Sequence, residues 1–451
     1  MQEARLIRGL GLTAAMSMNI ANMIGTAVFL KARVMTCNAG SPLIVLAVWC
    51  AAAVLVMAGA LSYAELAVSM PKAGGEYVFL REAYGRRWGF LYGWSYLWVS
   101  RGGSLSAQAV STAIFFNIAT GADLTRWQLS AAAIAAIAIT ALWNCTAVES
   151  TGRSATAMAI FKVMAVGGLA ITIFFFTKGD WTNYLLTNNS GTCEGVAANA
   201  RGGLAGIGAA MLGALWGFQG WANVTTMAGE IRDPNRNIPR AFAGALLIVA
   251  TVYLLANASY FYAITPTEIA SVPLSGSVAT IVLGRILGPI TVRWMAVVMM
   301  ISSLGALHAG IAATARVPFA MASDGVFFRW FGHLSTAQVP VRSVLLIAVW
   351  SAVLALTGSY DKLTDWAIFS LWLFYGLSAS ALIVLRQRQP ENSTGFRVPG
   401  YPATPVLFIL VTALIVINTI YTAPIPTLAG IAVMLLGLPF YFYWQRTGVR
   451  H

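Results

Sequence analysis

Hydrophobic residues occur along most of the chain in long runs that short polar stretches separate. A run of about 20 apolar residues is long enough to cross a bilayer as a helix. The pattern predicts twelve such helices, at residues 10–30, 41–68, 87–116, 128–147, 155–177, 203–228, 240–264, 291–317, 341–357, 365–386, 404–422 and 424–444. We therefore expect an all-α polytopic membrane protein that forms a single domain.

The first and the sixth of these apolar runs are interrupted near their middle by polar residues and glycines. The first interruption consists of Asn22, Met23, Ile24, Gly25, Thr26 and Ala27. The second is the stretch Leu215-Trp216-Gly217-Phe218-Gln219-Gly220-Trp221 in the sixth run, in which Trp216, Gly217, Phe218 and Gly220 are the candidate site residues. Non-helical backbone at membrane depth is tolerated only where it is buried in protein or lines a wet cavity. For a single glycine, a small-residue packing face is the more common explanation. Two breaks at corresponding positions of two halves, however, indicate the binding site of a transporter.

Unwound backbone at both breaks would expose hydrogen-bonding groups of opposite polarity. The N–H groups of Thr26 and Ala27 would attract an anion such as a carboxylate. The carbonyl groups around Asn22, Met23 and Trp216 would receive an ammonium group. Together they suit a zwitterion such as an amino acid, which needs no charged side chain in the site. Two breaks alone would also suit a nucleobase or a cation.

The side chains at the breaks predict an uncharged substrate. Met23, Ile24 and Trp216 would form an apolar pocket. Such a pocket favours a neutral side chain, because an unpaired charge is costly to bury. Trp216 and Phe218 flank the second break, where they either close over a bound substrate or pack in the core.

Two basic side chains lie within predicted helices, where a charge is costly and indicates function. Lys162 lies in the middle of the fifth helix. It would place a fixed positive charge between helices one, five and eight instead of a bound Na⁺, with Ser302 and Ser303 as hydroxyl partners. Alternatively, it loses a proton during a transport cycle. Arg101 marks a second irregular spot in the third helix, and His308 is either a packing residue or a proton relay.

Composition argues against several other classes of protein. Hydrophobic residues make up 58% of the 451 residues and charged residues only 10%, whereas about a quarter of a soluble domain is charged. The net charge of +13 is spread without a basic block, so a nucleic-acid partner is not expected. The sequence has no motif of a zinc protease, a serine hydrolase or a P-loop, and no filter-like repeat of a channel. We therefore expect no enzymatic activity, no metal and no cofactor.

Lysine and arginine predict how the protein is oriented. They are concentrated in the loops on the side of both termini, for example at Lys72 and Arg87. The positive-inside rule places that side in the cytoplasm, so we expect a multi-pass protein in contact with membrane lipids and with both ends cytoplasmic. The four cysteines are too few for a disulfide framework, but Cys37 and Cys193 are able to pair if both lie outside.

Several segments resemble a known group of transporters. Gly25 to Phe29 (GTAVF) resembles the G-S-G-I-F stretch of the amino acid–polyamine–organocation superfamily, and Pro71 to Tyr77 (PKAGGEY) resembles its P-K-[SA]-G-G-x-Y loop. Other segments are similar to the L-type amino acid transporter (LAT) branch. These are Lys162, Gly220-Trp221, the linker from Asp233 to Pro239, and Phe396 to Pro399. The matches extend over nearly the whole chain.

The resemblance implies a LeuT-like fold, in which residues 10–177 and 203–386 form a 5+5 inverted repeat and residues 404–444 add two helices. It also implies amino acid exchange by alternating access, with the substrate carboxylate at the first break and its amino group near the sixth helix. Trp216 and Gly220 would form the gate and the second half of the site. Lys162 would take the role of the family's helix-five lysine, which links the bundle to the scaffold in place of sodium.

Three departures from the family pattern refine these expectations. Ala27 stands where the family usually has glycine, and its methyl group narrows the carboxylate site. Ala222 stands where arginine/agmatine antiporters carry a glutamate, which argues against a cationic substrate. The loop from Ala119 to Trp127 contains no cysteine, so no covalently linked glycoprotein subunit is expected. The missing cysteine and the compact termini favour a prokaryotic protein that works alone.

We therefore expect an inner-membrane exchanger of neutral L-amino acids. The alternative is a proton-coupled importer of the same fold, in which Lys162 or His308 cycles a proton. A transporter-like amino acid sensor, which would bind without flux, is more distant. The preferred amino acid, the stoichiometry and the oligomeric state are not predicted.

Overall fold

The computed structural model describes residues 8–146, 148–273, 276–288, 290–357, 360–388, 395–422 and 424–446. Regular structure in these ranges is helical, apart from a single bridge between Leu10 and Ile231. This confirms the all-α prediction. The two termini, for which we predict a cytoplasmic position, lie outside the described residues.

The described part of the first half of the chain contains eight α-helices. They are α1 (Leu12–Met23), α2 (Ala27–Ala39), α3 (Pro42–Ser69), α4 (Glu76–Tyr84), α5 (Arg86–Ser95), α6 (Gly102–Thr120), α7 (Arg126–Asn144) and α8 (Val148–Phe176). A π-helical segment, Tyr96–Arg101, connects α5 to α6 without a loop. Such wider turns often mark functional sites, and this one ends at Arg101, where the sequence predicts an irregular spot.

The second half contains eleven α-helices in the described residues. They are α9 (Gly203–Gly217), α10 (Asn223–Thr226), α11 (Pro234–Ala263), α12 (Pro266–Ala270), α13 (Val278–Leu287), α14 (Ile290–Thr314), α15 (Arg316–Ser323), α16 (Val341–Thr357), α17 (Tyr360–Arg388), α18 (Ala403–Thr422) and α19 (Pro424–Arg446). The expected linker from Asp233 to Pro239 is wrong, because α11 already begins at Pro234. Proline suits a first helical turn, where its missing N–H costs nothing.

Eight helices in the described ranges are long and apolar enough to cross a membrane, and α1 with α2 adds a ninth as one bent span. Each of the twelve predicted segments contains a helix. However, α9 and α16 have only 15 and 17 residues, and the third segment is divided between α5 and α6. The count of twelve, the LeuT-like inverted repeat and its residue limits stay predictions.

The packing of the helices brings the two interrupted segments together. α1 lies against α8, α11 and α14, and also contacts the short α10, while α2 lies against α9. Near the end of α2, Cys37 forms a disulfide with Cys193 in the long loop before α9. The two cysteines therefore pair, which the sequence left open.

Candidate substrate site at two helix breaks

The first break separates α1 from α2 within one bent span. α1 ends at Met23, α2 begins at Ala27, and the two axes differ by 47°. Gly25 between them does not adopt a left-handed φ, and a Cβ there would meet only the Met23 carbonyl oxygen, at 4.0 Å. The bend therefore does not require glycine. The N–H of Ala27 lies in the first turn of α2, where N–H groups lack an acceptor within their helix.

Lys162 of α8 supports the first break from a neighbouring helix. The side chain is fully buried, and its Nζ donates to the carbonyl oxygens of Ala21, at 2.5 Å, and Ile24, at 2.6 Å. Ser302 of α14 donates to the same Ile24 oxygen at 3.2 Å. Carbonyl groups at a helix end lack helical donors, and the negative end of the helix dipole attracts the ammonium group. Lys162 thus connects α1 with α8 beside α14.

The predicted pairing of Lys162 with Ser302 and Ser303 is wrong. No hydrogen bond joins Lys162 to either serine in the part of the chain that the structure describes. Ser302 only shares an acceptor with Lys162, whereas Ser303 accepts a hydrogen bond from Ser111 of α6 at 3.2 Å. Neighbouring helical residues point about 100° apart, so the two serines contact different helices.

The second break separates α9 from the four-residue α10. Gly217 ends α9, and Gly220 adopts a left-handed φ of 98°. A Cβ on Gly220 would lie 2.7 Å from the Cγ of Asn22 and 3.1 Å from its Cβ. This position therefore requires glycine for two reasons, its backbone conformation and the close approach of α1. The two predicted breaks are in direct contact through Asn22 and Gly220.

Tyr253 of α11, which the sequence analysis missed, joins the same two breaks. Its hydroxyl oxygen lies 2.7 Å from the Met23 carbonyl oxygen and 3.0 Å from that of Gly217. One hydroxyl therefore contacts a carbonyl group at the end of α1 and another at the end of α9, and neither carbonyl has a donor within its own helix. A tyrosine within an apolar run does not indicate such a contact, because aromatic residues are common in these runs.

The aromatic residues of the second break have different surroundings. Phe218 is fully buried and packs against Trp49 and Tyr253, with ring centroids 5.9 and 5.7 Å apart. It therefore packs in the core behind the break, which is one of the two alternatives, and its place in the substrate site stays a prediction. Trp216 at the end of α9 retains 8% exposure and lies beside a cavity of about 10 Å³ that Gln219 also lines. Its role as a gate stays a prediction.

The predicted carbonyl cup for an ammonium group is already occupied in part. The Met23 oxygen accepts from the Tyr253 hydroxyl and from the N–H of Gly25 at 2.8 Å. The Trp216 oxygen accepts from the N–H of Gln219 at 3.0 Å. A substrate ammonium group would therefore have to compete with these donors or use other acceptors at the break.

A group of buried charged residues lies beyond α10. Arg101 donates to the Asn223 Oδ1 of α10 and lies over the ring of Tyr96. Glu76 of α4 accepts from the Thr225 hydroxyl at 3.4 Å. Burial raises the pKa of Glu76 to about 7, although its own backbone N–H and the nearby Arg101 act in the opposite direction. The sequence analysis did not single out Glu76.

A buried ion pair lies where the second interrupted segment ends. Glu230 and Arg316 of α15 are 0% and 2% exposed, and the guanidinium donates to both carboxylate oxygens at 2.8 and 3.1 Å. His308 of α14, in contrast, has a protein partner on each ring nitrogen. They are the side chains of Asn144 at 2.9 Å and Ser154 at 2.8 Å. These contacts agree with a packing role, and a proton-relay role for His308 stays a prediction.

Comparison with known proteins identifies the class to which this arrangement belongs. Residues 10–440 match the family model described as amino acid permease, which covers most of the chain. The chain belongs to the amino acid permease family. This confirms the resemblance to the amino acid–polyamine–organocation superfamily, and the family consists of transporters, not enzymes.

Individual relatives are similar over most of their length. The chain is 27% identical to the serine/threonine exchanger SteT of Bacillus subtilis (strain 168) over 449 residues, which cover 98% of both chains. It is also 27% identical to the human b(0,+)-type amino acid transporter 1, covering 97% of this chain and 88% of the relative. The human large neutral amino acids transporter small subunit 2 is 27% identical, with 98% and 81% covered.

Proposed function

We propose that this protein exchanges neutral L-amino acids across the cytoplasmic membrane by alternating access. The observation that carries the proposal is the ammonium group of Lys162, which is bound to two carbonyl groups at the first break. A cation that belongs to the protein does not cross the membrane, so it supplies no ion gradient to drive uptake. Movement of one amino acid is then driven by movement of another.

The remaining site features agree with a zwitterionic substrate. The first turn of α2 begins at Ala27 and would receive the carboxylate. Asn22, Gly25 and Thr26 line the same break, and Trp216 and Gly220 lie across from it. The names of the relatives, a serine/threonine exchanger and a transporter of large neutral amino acids among them, support both exchange and an uncharged substrate.

The test is uptake of labelled L-alanine into vesicles that contain the purified protein. Vesicles preloaded with unlabelled neutral amino acids are compared with empty vesicles at equal pH on both sides. Exchange predicts uptake only into the preloaded vesicles. Equal uptake into empty vesicles would contradict exchange, and binding without any flux would favour an amino acid sensor.

Proton-coupled uptake is the second candidate, and Glu76 is the observation that favours it. Its carboxyl group is buried beside the second break, and with a pKa of about 7 it gains a proton as the pH falls below neutrality. Coupling predicts uptake into empty vesicles that an inward proton gradient stimulates, and loss of that stimulation in Glu76→Gln. Glu82→Gln, at an exposed position of the same helix, is the matched control. An unstimulated wild type excludes this candidate.

We further propose that both termini are cytoplasmic in a bacterial inner membrane and that the protein works without a covalently linked subunit. The distribution of lysine and arginine supports the orientation, and the absence of cysteine between Ala119 and Trp127 supports the second point. A protease-sensitive tag at each terminus should be cut in inverted membrane vesicles and protected in intact spheroplasts. Activity of the purified single chain tests the second point.

A further inference from the structure

Polar side chains from three parts of the chain meet where the two breaks approach α6. We call Asn22, Ser104, Gln108 and Gln219 the polar cluster. Ser104 and Gln108 are one turn apart on α6 and share a face. Ser104 donates to the Oε1 of Gln219 at 3.2 Å. A Cβ on Gly310 of α14 would lie 3.6 Å from the Gln108 Oε1 and 3.7 Å from the Asn22 Oδ1.

The polar cluster contains more hydrogen-bonding capacity than it uses. Asn22 is only 3% exposed, and neither atom of its carboxamide has a partner among the described residues. The same is true there of the Gln108 Oε1 and the Gln219 Nε2. A buried polar group without a partner typically costs about 1–3 kcal/mol. Two donors and two acceptors are therefore available to a ligand.

We propose that the polar cluster binds the side chain of the transported amino acid and selects side chains that form hydrogen bonds. Hydroxyl and carboxamide groups, as in threonine, serine and asparagine, both donate and accept, as the cluster requires. Asn22 of the cluster contacts Gly220 at the second break, so a side chain bound there continues directly from a zwitterion bound at the breaks. This inference rests on the proposed function, because it concerns the substrate of the same site.

A polar pocket would then take the place of the apolar pocket that the sequence predicts. The difference has a measurable consequence. An apolar pocket discriminates weakly against an added hydroxyl, whereas a site that provides hydrogen bonds strongly rejects an analogue that lacks them. Threonine and valine have nearly the same shape, as do asparagine and leucine. Each pair therefore isolates hydrogen bonding from size.

The experiment measures inhibition of labelled alanine uptake into preloaded vesicles by threonine, valine, asparagine and leucine. Alanine lacks a polar side-chain group and is small enough for either kind of pocket. We expect threonine to inhibit at a concentration about tenfold or more below that of valine, and asparagine likewise below leucine. Inhibition by valine and leucine at equal or lower concentrations would overturn the inference and leave exchange intact. No preload-dependent uptake of any of these amino acids would instead reject the proposed function.

A single substitution tests whether the polar cluster causes the preference for threonine over valine. Gln108→Leu removes an unpartnered acceptor at similar volume. The valine-to-threonine ratio of inhibitory concentrations should therefore fall towards one while valine still inhibits. Gln445→Leu makes the same change at an exposed position of α19 and should leave the ratio unchanged. An unchanged ratio in Gln108→Leu would overturn the role of the cluster. If this variant does not insert into the membrane, the inhibitory concentrations measured for the wild type still decide whether the site selects side chains that form hydrogen bonds.

Discussion

The two breaks of the candidate site are maintained by different physical means. The first is fixed from outside, by hydrogen bonds from Lys162 and Ser302 to the carbonyl groups at the end of α1. The second is fixed locally, by the left-handed conformation of Gly220 and by the aromatic packing of Phe218. Removing a distant side chain should therefore affect the first break, whereas adding a single methyl group should affect the second.

The difference also indicates how the breaks communicate. The contact between Asn22 and Gly220 is steric, so a movement of one break displaces the other. Tyr253 reaches a carbonyl group of each break. A rearrangement at one break therefore changes the partners available at the other.

The largest effect is expected for Lys162→Met, which keeps the length of the side chain and removes its ammonium group. Hydrogen bonds to charged groups contribute about 1.5–3 kcal/mol each, and relief from burying the charge offsets part of this loss. Exchange should fall by about tenfold or more, and the melting temperature of the purified protein should decrease. Vesicle uptake and thermal unfolding measure the two.

The control for this change is Lys178→Met, at an exposed position of the loop after α8. It should resemble the wild type in both measurements. Wild-type exchange and stability in Lys162→Met would contradict the view that an external cation maintains the first break.

The second largest effect is expected for Gly220→Ala when it is compared with Gly25→Ala. Gly220→Ala places a Cβ 2.7 Å from Asn22 and on a backbone with positive φ, a conformation that costs about 1–3 kcal/mol for other residues. Gly25→Ala meets nothing closer than 4.0 Å. Only Gly220→Ala should lower the melting temperature. Gly25→Ala should remain stable and reduce uptake through contact with the substrate carboxylate.

Equal melting temperatures for the two alanine variants would remove the distinction between the breaks. Wild-type uptake by a stable Gly25→Ala protein would indicate that the substrate carboxylate does not bind at the first break.

The smallest effect is expected for Tyr253→Phe, which removes one hydroxyl from the contact between the breaks. A typical hydrogen bond contributes about 0.5–1.5 kcal/mol, so exchange should fall by roughly threefold to tenfold. Tyr260→Phe is the matched control, because its hydroxyl on the same helix has no partner among the described residues. If both variants lose the same activity, the hydroxyl of Tyr253 does not couple the breaks.

Local patterns explain which parts of the site were predictable. The position of both interruptions could be recognised because glycines and polar residues stand out within an apolar run. Lys162 was recognisable for the same reason, since a charge inside such a run is rare. The assignment of Ser303 to Lys162, in contrast, required knowing which way each helix faces, and adjacent residues face different neighbours.

The sequence by itself determined the helical membrane architecture, the family and the location of the two breaks, because hydrophobic runs and their interruptions are properties of neighbouring residues. Only the tertiary structure decided what surrounds the breaks. Lys162 bonds a carbonyl 141 residues away, and Tyr253 bonds one 230 residues away. The polar cluster likewise combines α1, α6 and the second break. Such contacts depend on the rotation and packing of separate helices, which no local pattern specifies.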